Sequence, residues 1–120
     1  MVDKLLKYIP KYVPQQGDII WLTLSHTKGN EQSGRRPALV ISEKEFNIKT
    51  GLALVTPISS KSHGYETEVI FKTEKVKGVI LVFQMRTIDW KVRDIEFCDK
   101  ISQELLNKVQ NILISLIVSQ

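Results

Sequence analysis

The chain has 120 residues, 42% of them hydrophobic and 25% charged, which is typical of a single globular domain that buries its own core. Its 17 Lys and Arg against 13 Asp and Glu give a net charge of +4, a mild excess that permits a polyanionic partner without requiring one. The single cysteine, Cys98, excludes an intrachain disulfide, and with two scattered histidines no structural zinc site is expected.

The two ends of the chain show no signal for export or membrane insertion. Residues 1–14 contain lysines and prolines but lack the apolar core of a signal peptide, and we interpret them as an N-terminal leader to a single domain over residues 15–120. The longest apolar run, residues 112–118, is interrupted by Ser115 and is too short to cross a bilayer. We therefore expect a cytoplasmic protein that does not associate with membranes.

Most of the chain after Gly17 is predicted to form short strands. β-Branched, aliphatic and aromatic residues recur in runs separated by polar turns, without a long helix between them. This spacing predicts a mainly β fold, a small antiparallel barrel or sandwich. Pro57 is expected to stop the third strand, and residues 43–47 to form one helical turn. The predicted strands cover residues 18–24, 38–42, 52–56, 66–71, 78–84, 86–91 and 95–97.

The C-terminal segment has the apolar spacing of a helix instead. Ser102 is a suitable N-cap, and Glu104 in the first turn suits the helix dipole. Ile114 and Val118 widen the apolar face beyond the usual stripe, so two interpretations stay open: a deeply buried helix, or one partly covered by a second subunit. The face itself consists of Leu105, Leu106, Val109, Ile112, Leu113, Leu116 and Ile117.

A glycine-rich loop, residues 29–37, lies between the first two predicted strands and carries the most concentrated polar chemistry. Its Gly29 and Gly34 indicate unusual backbone angles, and Pro37 biases Arg36 towards an extended conformation at the mouth of the next strand. An arginine presented in this way suits an anion such as phosphate. The alternative is a charged surface loop with a weak Glu31–Arg35 pair.

Common catalytic motifs are absent: the sequence has no GxxxxGK[ST], no GxSxG and no HExxH. His26 and His63 lie in separate loops, and each is more simply a solvated loop residue. What remains is an arginine with hydroxyls: Arg36, with Ser59 and Ser60 just beyond the third strand, would surround a phosphate if those strand ends adjoin.

RNA is one substrate that such a site suits, because its 2′-OH is an internal nucleophile that the protein need not supply. Single-stranded RNA also stacks on aromatic side chains, and Trp21, Trp90, Phe83 and Tyr65 are the candidates, although most of them are expected in the core. From the residues alone, the sequence predicts an anion-binding β protein and no more.

A series of short motifs, in order along the chain, matches a known family. They are Gly17-Asp18-Ile19-Ile20-Trp21, the segment from Thr27 to Ser42, Phe46-Asn47, Thr50-Gly51, Val55-Thr56-Pro57-Ile58-Ser59, Gly64-Tyr65, Gly78-Val79-Ile80-Leu81-Val82 and Gln84-Met85-Arg86-Thr87-Ile88-Asp89. Each is unremarkable alone, but the ordered set is specific. From residue 15 to the C-terminus, the chain resembles the MazF/PemK (Kid) family of toxins from type II toxin–antitoxin systems.

The resemblance implies an SH3-like small antiparallel β-barrel with a C-terminal helix, working as a homodimer. It also implies a metal-independent, cofactor-free, sequence-specific endoribonuclease that cuts single-stranded RNA, notably mRNA, and so arrests translation and growth. The expected products are a 2′,3′-cyclic phosphate and a 5′-hydroxyl end. The expected protein partner is a cognate antitoxin whose disordered C-terminal segment occupies the RNA groove.

The family's functional positions are carried over residue by residue. The family arginine before proline is Arg36, expected to stabilise transition-state charge and to take part in proton transfer, and the family threonine position holds Ser59. Glu31 belongs to the family's Glu-Gln pair, where it orients Arg36, contacts RNA or shapes the loop, and Gln84 lies near the groove. The other residues expected to bind RNA or support the site are Lys28, Asn30, Gln32, Arg35, Ser60, Lys61 and Arg86.

Two departures limit this transfer. Some relatives have an acidic residue where this chain has Phe83, and some have a histidine where it has Asn30, so only the arginine-plus-hydroxyl mechanism is transferable. The alternatives are a CcdB-like poison that binds gyrase, and an RNA-binding barrel without catalysis. The cleavage sequence is expected to depend on the loops at residues 48–51 and 59–64.

Overall fold

A computed structural model of the chain describes residues 12–23 and 34–119. The described part is mostly β, a curled antiparallel sheet that forms a half-barrel with a helix at its C-terminal end. The predicted fold class is therefore confirmed. None of the described helices is long and apolar enough to cross a membrane.

Within residues 12–23 and 34–119, the fold contains seven strands, two α-helices and one 3-10 turn. The strands are β1 (Asp18–Thr23), β2 (Arg35–Val40), β3 (Leu52–Ser59), β4 (Glu68–Lys72), β5 (Lys77–Leu81), β6 (Arg86–Asp89) and β7 (Glu96–Lys100). Helix α1 spans Lys44–Thr50, the 3-10 turn Val82–Gln84, and helix α2 Gln103–Ile117. The strand order along the described sheet is β4-β5-β3-β2-β1-β7, with β6 also paired to β3.

Alternating burial along the strands produces two cores, one on each face of the sheet. In β1, Ile19 belongs to the core that α2 covers with Leu106 and Val109, whereas the next residue, Ile20, belongs to the opposite core. Tyr12 packs against that second core. The central strands are therefore fixed from both faces, and they hold their ends in defined positions.

Strand β3 continues through Pro57 to Ser59, so the prediction that Pro57 stops it was wrong. One edge of β3 pairs with β2, and the other pairs first with β6, up to Val55, and then with β5, from Ile58. Pro57 lies in the gap between these two partners, where no N–H is required of it.

The predicted strand over residues 78–84 is also corrected, because it ends at Leu81 and the 3-10 turn follows. From Val55 to Ile58, β3 advances three residues, whereas their partners Arg86 and Ile80 are six apart. The three additional residues between those partners form the 3-10 turn. The sequence does not indicate this turn, because the apolar run continues through it.

The predicted C-terminal helix is confirmed, and so is its cap. The Ser102 hydroxyl accepts a hydrogen bond from the Leu105 N–H at 3.1 Å. Leu106 and Val109 are buried against the sheet, and Leu105, Ile112 and Leu113 are partly buried against the same core. Towards the C-terminal end, Ile117 is 74% exposed.

Candidate functional site

An open groove of about 420 Å³ lies where β2 begins and β3 ends. It brings Arg36 together with Ser59 and Ser60, three residues that the sequence predicted to converge. We call it the Arg36 groove. Its lining consists of Arg36, Pro37, Pro57, Ile58, Ser59, Ser60, Lys77 and Leu81.

The register of β2 and β3 explains why Arg36 and Ser59 meet. Ala38 pairs with Pro57, and extending that antiparallel register by two residues places Arg36 across from Ser59. Residues two apart in a strand share a face, so both side chains follow Ala38 and Pro57 onto the same side of the sheet. A guanidinium and a hydroxyl are thus presented side by side.

The Ser59 hydroxyl is oriented by the backbone that follows it. Its oxygen accepts a hydrogen bond from the Lys61 N–H at 3.0 Å, which leaves the hydroxyl proton available for another acceptor. Arg36 is exposed, and it forms no ion pair with a carboxylate of the described residues. Both groups are therefore donors towards an anion in the groove.

Lys77 lines the groove as well, and it was not among the predicted site residues because it falls between the predicted strands at residues 66–71 and 78–84. In the structure Lys77 is the first residue of β5, directly opposite Lys72 of β4. The signal that could have revealed it is the hairpin itself, since the register of β4 and β5 places both lysines on one face.

The loop between β3 and β4 is held by Glu68 at the start of β4. The Glu68 carboxylate accepts hydrogen bonds from the Ser62 hydroxyl at 2.8 Å and from the His63 N–H at 3.0 and 3.1 Å. Partial burial raises the pKa of this carboxyl, but the donors from Ser62, His63 and Gly64 outweigh it and hold the pKa below its ordinary value. The loop beside Ser60 therefore has a defined shape.

Four predicted RNA-contacting residues lie outside the lining of the groove, and one of them, Lys61, donates its backbone N–H to the Ser59 hydroxyl beside it. Arg35 donates to the Asp94 carbonyl, and its guanidinium lies 3.4 Å from the Asp94 carboxylate and 3.3 Å from that of Glu96. Gln84 lies in the 3-10 turn and Arg86 opens β6, both exposed. Their contact with RNA stays a prediction.

Two of the four aromatic candidates face solvent. Trp90 is 4% exposed and donates from Nε1 to the Asn47 carbonyl at 3.0 Å, and Trp21 packs against the core. Tyr65 and Phe83 are 58% and 39% exposed, and their rings form an edge-to-face pair 5.6 Å apart. Of the four candidates, Tyr65 and Phe83 are therefore the two whose rings are exposed to a base.

Four predicted site residues lie outside the described residues: Lys28, Asn30, Glu31 and Gln32. His26 lies outside them too. Within residues 12–23 and 34–119, no group of three His, Cys, Asp or Glu side chains is arranged to hold a metal ion.

Comparison with known proteins adds to this geometry. The family described as PemK-like, MazF-like toxin of type II toxin-antitoxin system matches residues 15–117. The chain is 42% identical over 85 residues to the endoribonuclease toxin MazF of Escherichia coli (strain K12), which covers 71% of this chain and 77% of that relative. It is 30% identical over 100 residues to the endoribonuclease PemK of Escherichia coli, covering 79% and 75% respectively.

The same similarity is found among solved structures. The crystal structure of MazE-MazF (Form-II) from Deinococcus radiodurans contains a chain that superposes with a TM-score of 0.80 at 34% sequence identity. The superposition covers 92% of this chain and 100% of that one.

Proposed function

The chain belongs to the family of PemK-like, MazF-like toxins of type II toxin–antitoxin systems, and from this membership we propose that it is an endoribonuclease that cuts single-stranded RNA. This family is the one that the ordered sequence motifs indicated. The observation that carries the proposal is the placement of Arg36 and Ser59 side by side in one open groove.

In the proposed reaction, the 2′-oxygen of the RNA attacks the neighbouring phosphorus, and the bond from phosphorus to the 5′-oxygen breaks. The products are a 2′,3′-cyclic phosphate and a 5′-hydroxyl end, and the proton lost from the 2′-OH is balanced by the one gained at the 5′-oxygen. Negative charge grows on the phosphoryl oxygens, where the Arg36 guanidinium and the Ser59 hydroxyl donate. We assign the Arg36 guanidinium the electrostatic role, because arginine side chains act in proteins as permanent cations.

We also propose two protein partners. MazE-MazF is the subject of a neighbouring solved structure, and by analogy an antitoxin segment would occupy the Arg36 groove. The second partner is another copy of this chain. Its contact would cover the apolar end of α2, where Leu116 and Ile117 are exposed.

The deciding experiment is incubation of the purified protein with a long single-stranded RNA in EDTA, followed by mapping of the cut ends. We expect the parent protein to make discrete cuts with 2′,3′-cyclic phosphate ends. In Arg36→Ala the cleavage rate should fall about 100- to 1,000-fold, because one charge-stabilising donor is removed. Lys44→Ala, a substitution at an exposed position of α1 outside the Arg36 groove, is the control and should cut at the parental rate.

Two results would contradict the proposal. If Arg36→Ala cuts RNA at the parental rate, the Arg36 groove is not the active site. If the folded protein cuts no RNA, the result favours a protein that acts without catalysis, by binding gyrase or RNA.

A further inference from the structure

The β4–β5 hairpin carries two lysines directly opposite each other. Lys72 pairs with Lys77 in the antiparallel register, and both side chains are exposed. Like charges at directly opposed positions destabilise a sheet. Neither lysine forms an ion pair with a carboxylate of the described residues, so that repulsion is not relieved within this part of the chain.

The lysine pair lies on the face of the sheet that carries the Arg36 groove. Ser59 of β3 pairs with Val79 of β5, and Val79 pairs with Ile70 of β4. Lys77 and Lys72 are each two residues further along those two strands, so all five positions share one face. The lysine pair is displaced from Ser59 by one to two strand spacings, roughly 5–10 Å, and by about 7 Å along the strands.

A second hollow, also of about 420 Å³, connects the pair to the Arg36 groove. We call it the hairpin hollow. It shares Ser60 and Lys77 with the Arg36 groove, so the two form a continuous surface. Its lining consists of Ser60, Ser62, Ile70, Phe71, Lys72, Lys77, Gly78 and Val79.

We propose that Lys72 and Lys77 bind a phosphate of the RNA strand other than the one being cleaved. The inference rests on the proposed function, since it assigns a second contact to the same substrate. An anion between two opposed ammonium groups removes their repulsion, and lysine suits a flexible strand because its charge needs no fixed orientation. Lys77 also lines the Arg36 groove, whereas Lys72 lines the hairpin hollow and not that groove, so we assign the pair to a phosphate held in the hairpin hollow rather than to the one at Arg36 and Ser59.

Lys72 also borders residues of α2. Glu104 and Lys108 line a separate hollow on that side of Lys72, but Glu104 forms no ion pair with it. Glu104 also has Lys108 beside it, so the α2 side offers no net negative charge to hold Lys72 there. An external anion therefore remains the better partner.

The test measures how RNA affinity depends on salt, with a fluorescently labelled, mixed-sequence strand carrying 2′-O-methyl groups that cannot be cleaved. For single strands, each neutralised phosphate contributes about −0.7 to the slope of log K against log salt. We expect Lys72→Gln/Lys77→Gln to reduce the magnitude of the slope by about 0.7 and to weaken binding about tenfold at low salt. Lys75→Gln is the matched control, since Lys75 lies in the turn of the same hairpin, near Asp99 and outside both hollows.

A second readout separates binding from a structural role. Without RNA, the double variant should melt at the parental temperature or slightly above it, because opposed like charges are removed. A lower melting temperature would show that the lysines stabilise the hairpin, and it would overturn the proposal.

The outcomes also separate this site from the proposed function. If the parent protein cuts RNA and the double variant has the same salt slope as the parent, the lysine site alone is overturned. If the parent protein cuts no RNA but the double variant still shows a smaller salt slope, the lysine site is supported and the proposed nuclease activity is contradicted.

Discussion

Gly78 of β5 lies against the backbone of Ser59 at a distance that admits no side chain. A Cβ added to Gly78 would lie 2.7 Å from the Ser59 carbonyl oxygen and 3.0 Å from Cγ2 of Ile58. The contact is with backbone, so it cannot be relieved by rotating a side chain. The absence of a side chain at Gly78 thus sets how closely β5 approaches the end of β3, and with it the position of the Ser59 hydroxyl.

The first prediction concerns this contact. Gly78→Ala should push the end of β3 away and lower RNA cleavage at least tenfold, since misplaced catalytic groups lose much of their effect. It should also destabilise the fold by about 1–3 kcal/mol through overpacking. Cleavage rates and thermal unfolding measure the two effects.

The matched control is Gly17→Ala. Gly17 has a φ of +93°, so alanine is strained there, but its Cβ would meet nothing closer than 3.9 Å. This variant should lose stability and keep its cleavage rate when folded. Equal rates in Gly78→Ala and the parent would show that the contact does not position Ser59.

The second prediction concerns the Ser59 hydroxyl. Ser59→Ala removes a donor while the Lys61 N–H loses its acceptor, and cleavage should fall about 100-fold. Ser59→Thr keeps the hydroxyl and restricts its rotamers, so activity should stay within about tenfold of the parent. Single-turnover cleavage of one RNA by the three proteins makes the comparison. If alanine and threonine behave alike, the hydroxyl has no role in the reaction.

The third prediction concerns Tyr12, which ties the segment before β1 to a buried carboxylate. Its hydroxyl donates to Asp18 Oδ2 at 2.5 Å, and Lys100 Nζ lies 2.9 Å from Asp18 Oδ1. Burial raises the pKa of Tyr12, and the hydrogen bond to Asp18 and the charge on Asp18 raise it further. The folded state thus favours the neutral phenol. This stabilisation is complete below the ordinary pKa of about 10 and is lost as the pH rises beyond it.

The melting temperature should therefore fall above about pH 10 more steeply in the parent than in Tyr12→Phe, which has no phenol to ionise. Tyr65→Phe, at an exposed tyrosine, is the control and should follow the parental slope. Parallel curves for the parent and Tyr12→Phe would show that Tyr12 does not govern the alkaline transition.

The sequence predicts those parts of the fold in which a local pattern and the tertiary environment agree. The apolar run at Ile19 and Ile20 becomes a strand buried on both faces, and the Ser102 cap begins α2 as expected. The meeting of Arg36 with Ser59 and Ser60 was predicted on the condition that the two strand ends adjoin, and the register of β2 and β3 meets that condition.

The features that were missed depend on pairing between distant segments. Pro57 is compatible with β3 only because β6 and β5 share the edge beside it and leave a gap between them. No local sequence pattern indicates that gap. Lys77 lines the site because of the hairpin register, which the sequence analysis did not use. Sequence periodicity describes one strand at a time, whereas the places of Pro57 and Lys77 depend on how their strands pair with other strands.

The fourth prediction is that α2 completes its packing in a homodimer. In the described structure its first half is buried, whereas Leu116 and Ile117 near its end are 49% and 74% exposed. Apolar side chains clustered at a helix end are typical of an interaction surface. We expect light scattering to give about twice the chain mass of 13.8 kDa for the parent protein. Ile117→Glu should shift it towards the monomer, because a charge would have to be buried in the interface.

The control is Asn111→Glu, which adds the same charge at an exposed polar position of the same helix. It should leave the mass unchanged, since no apolar contact is replaced. If the parent protein is monomeric at all concentrations, or if Ile117→Glu remains a dimer, the apolar end of α2 is not the subunit contact. Because the Arg36 groove is formed within one chain, a folded monomeric variant should still bind RNA, and measuring its affinity tests whether dimerisation contributes to binding.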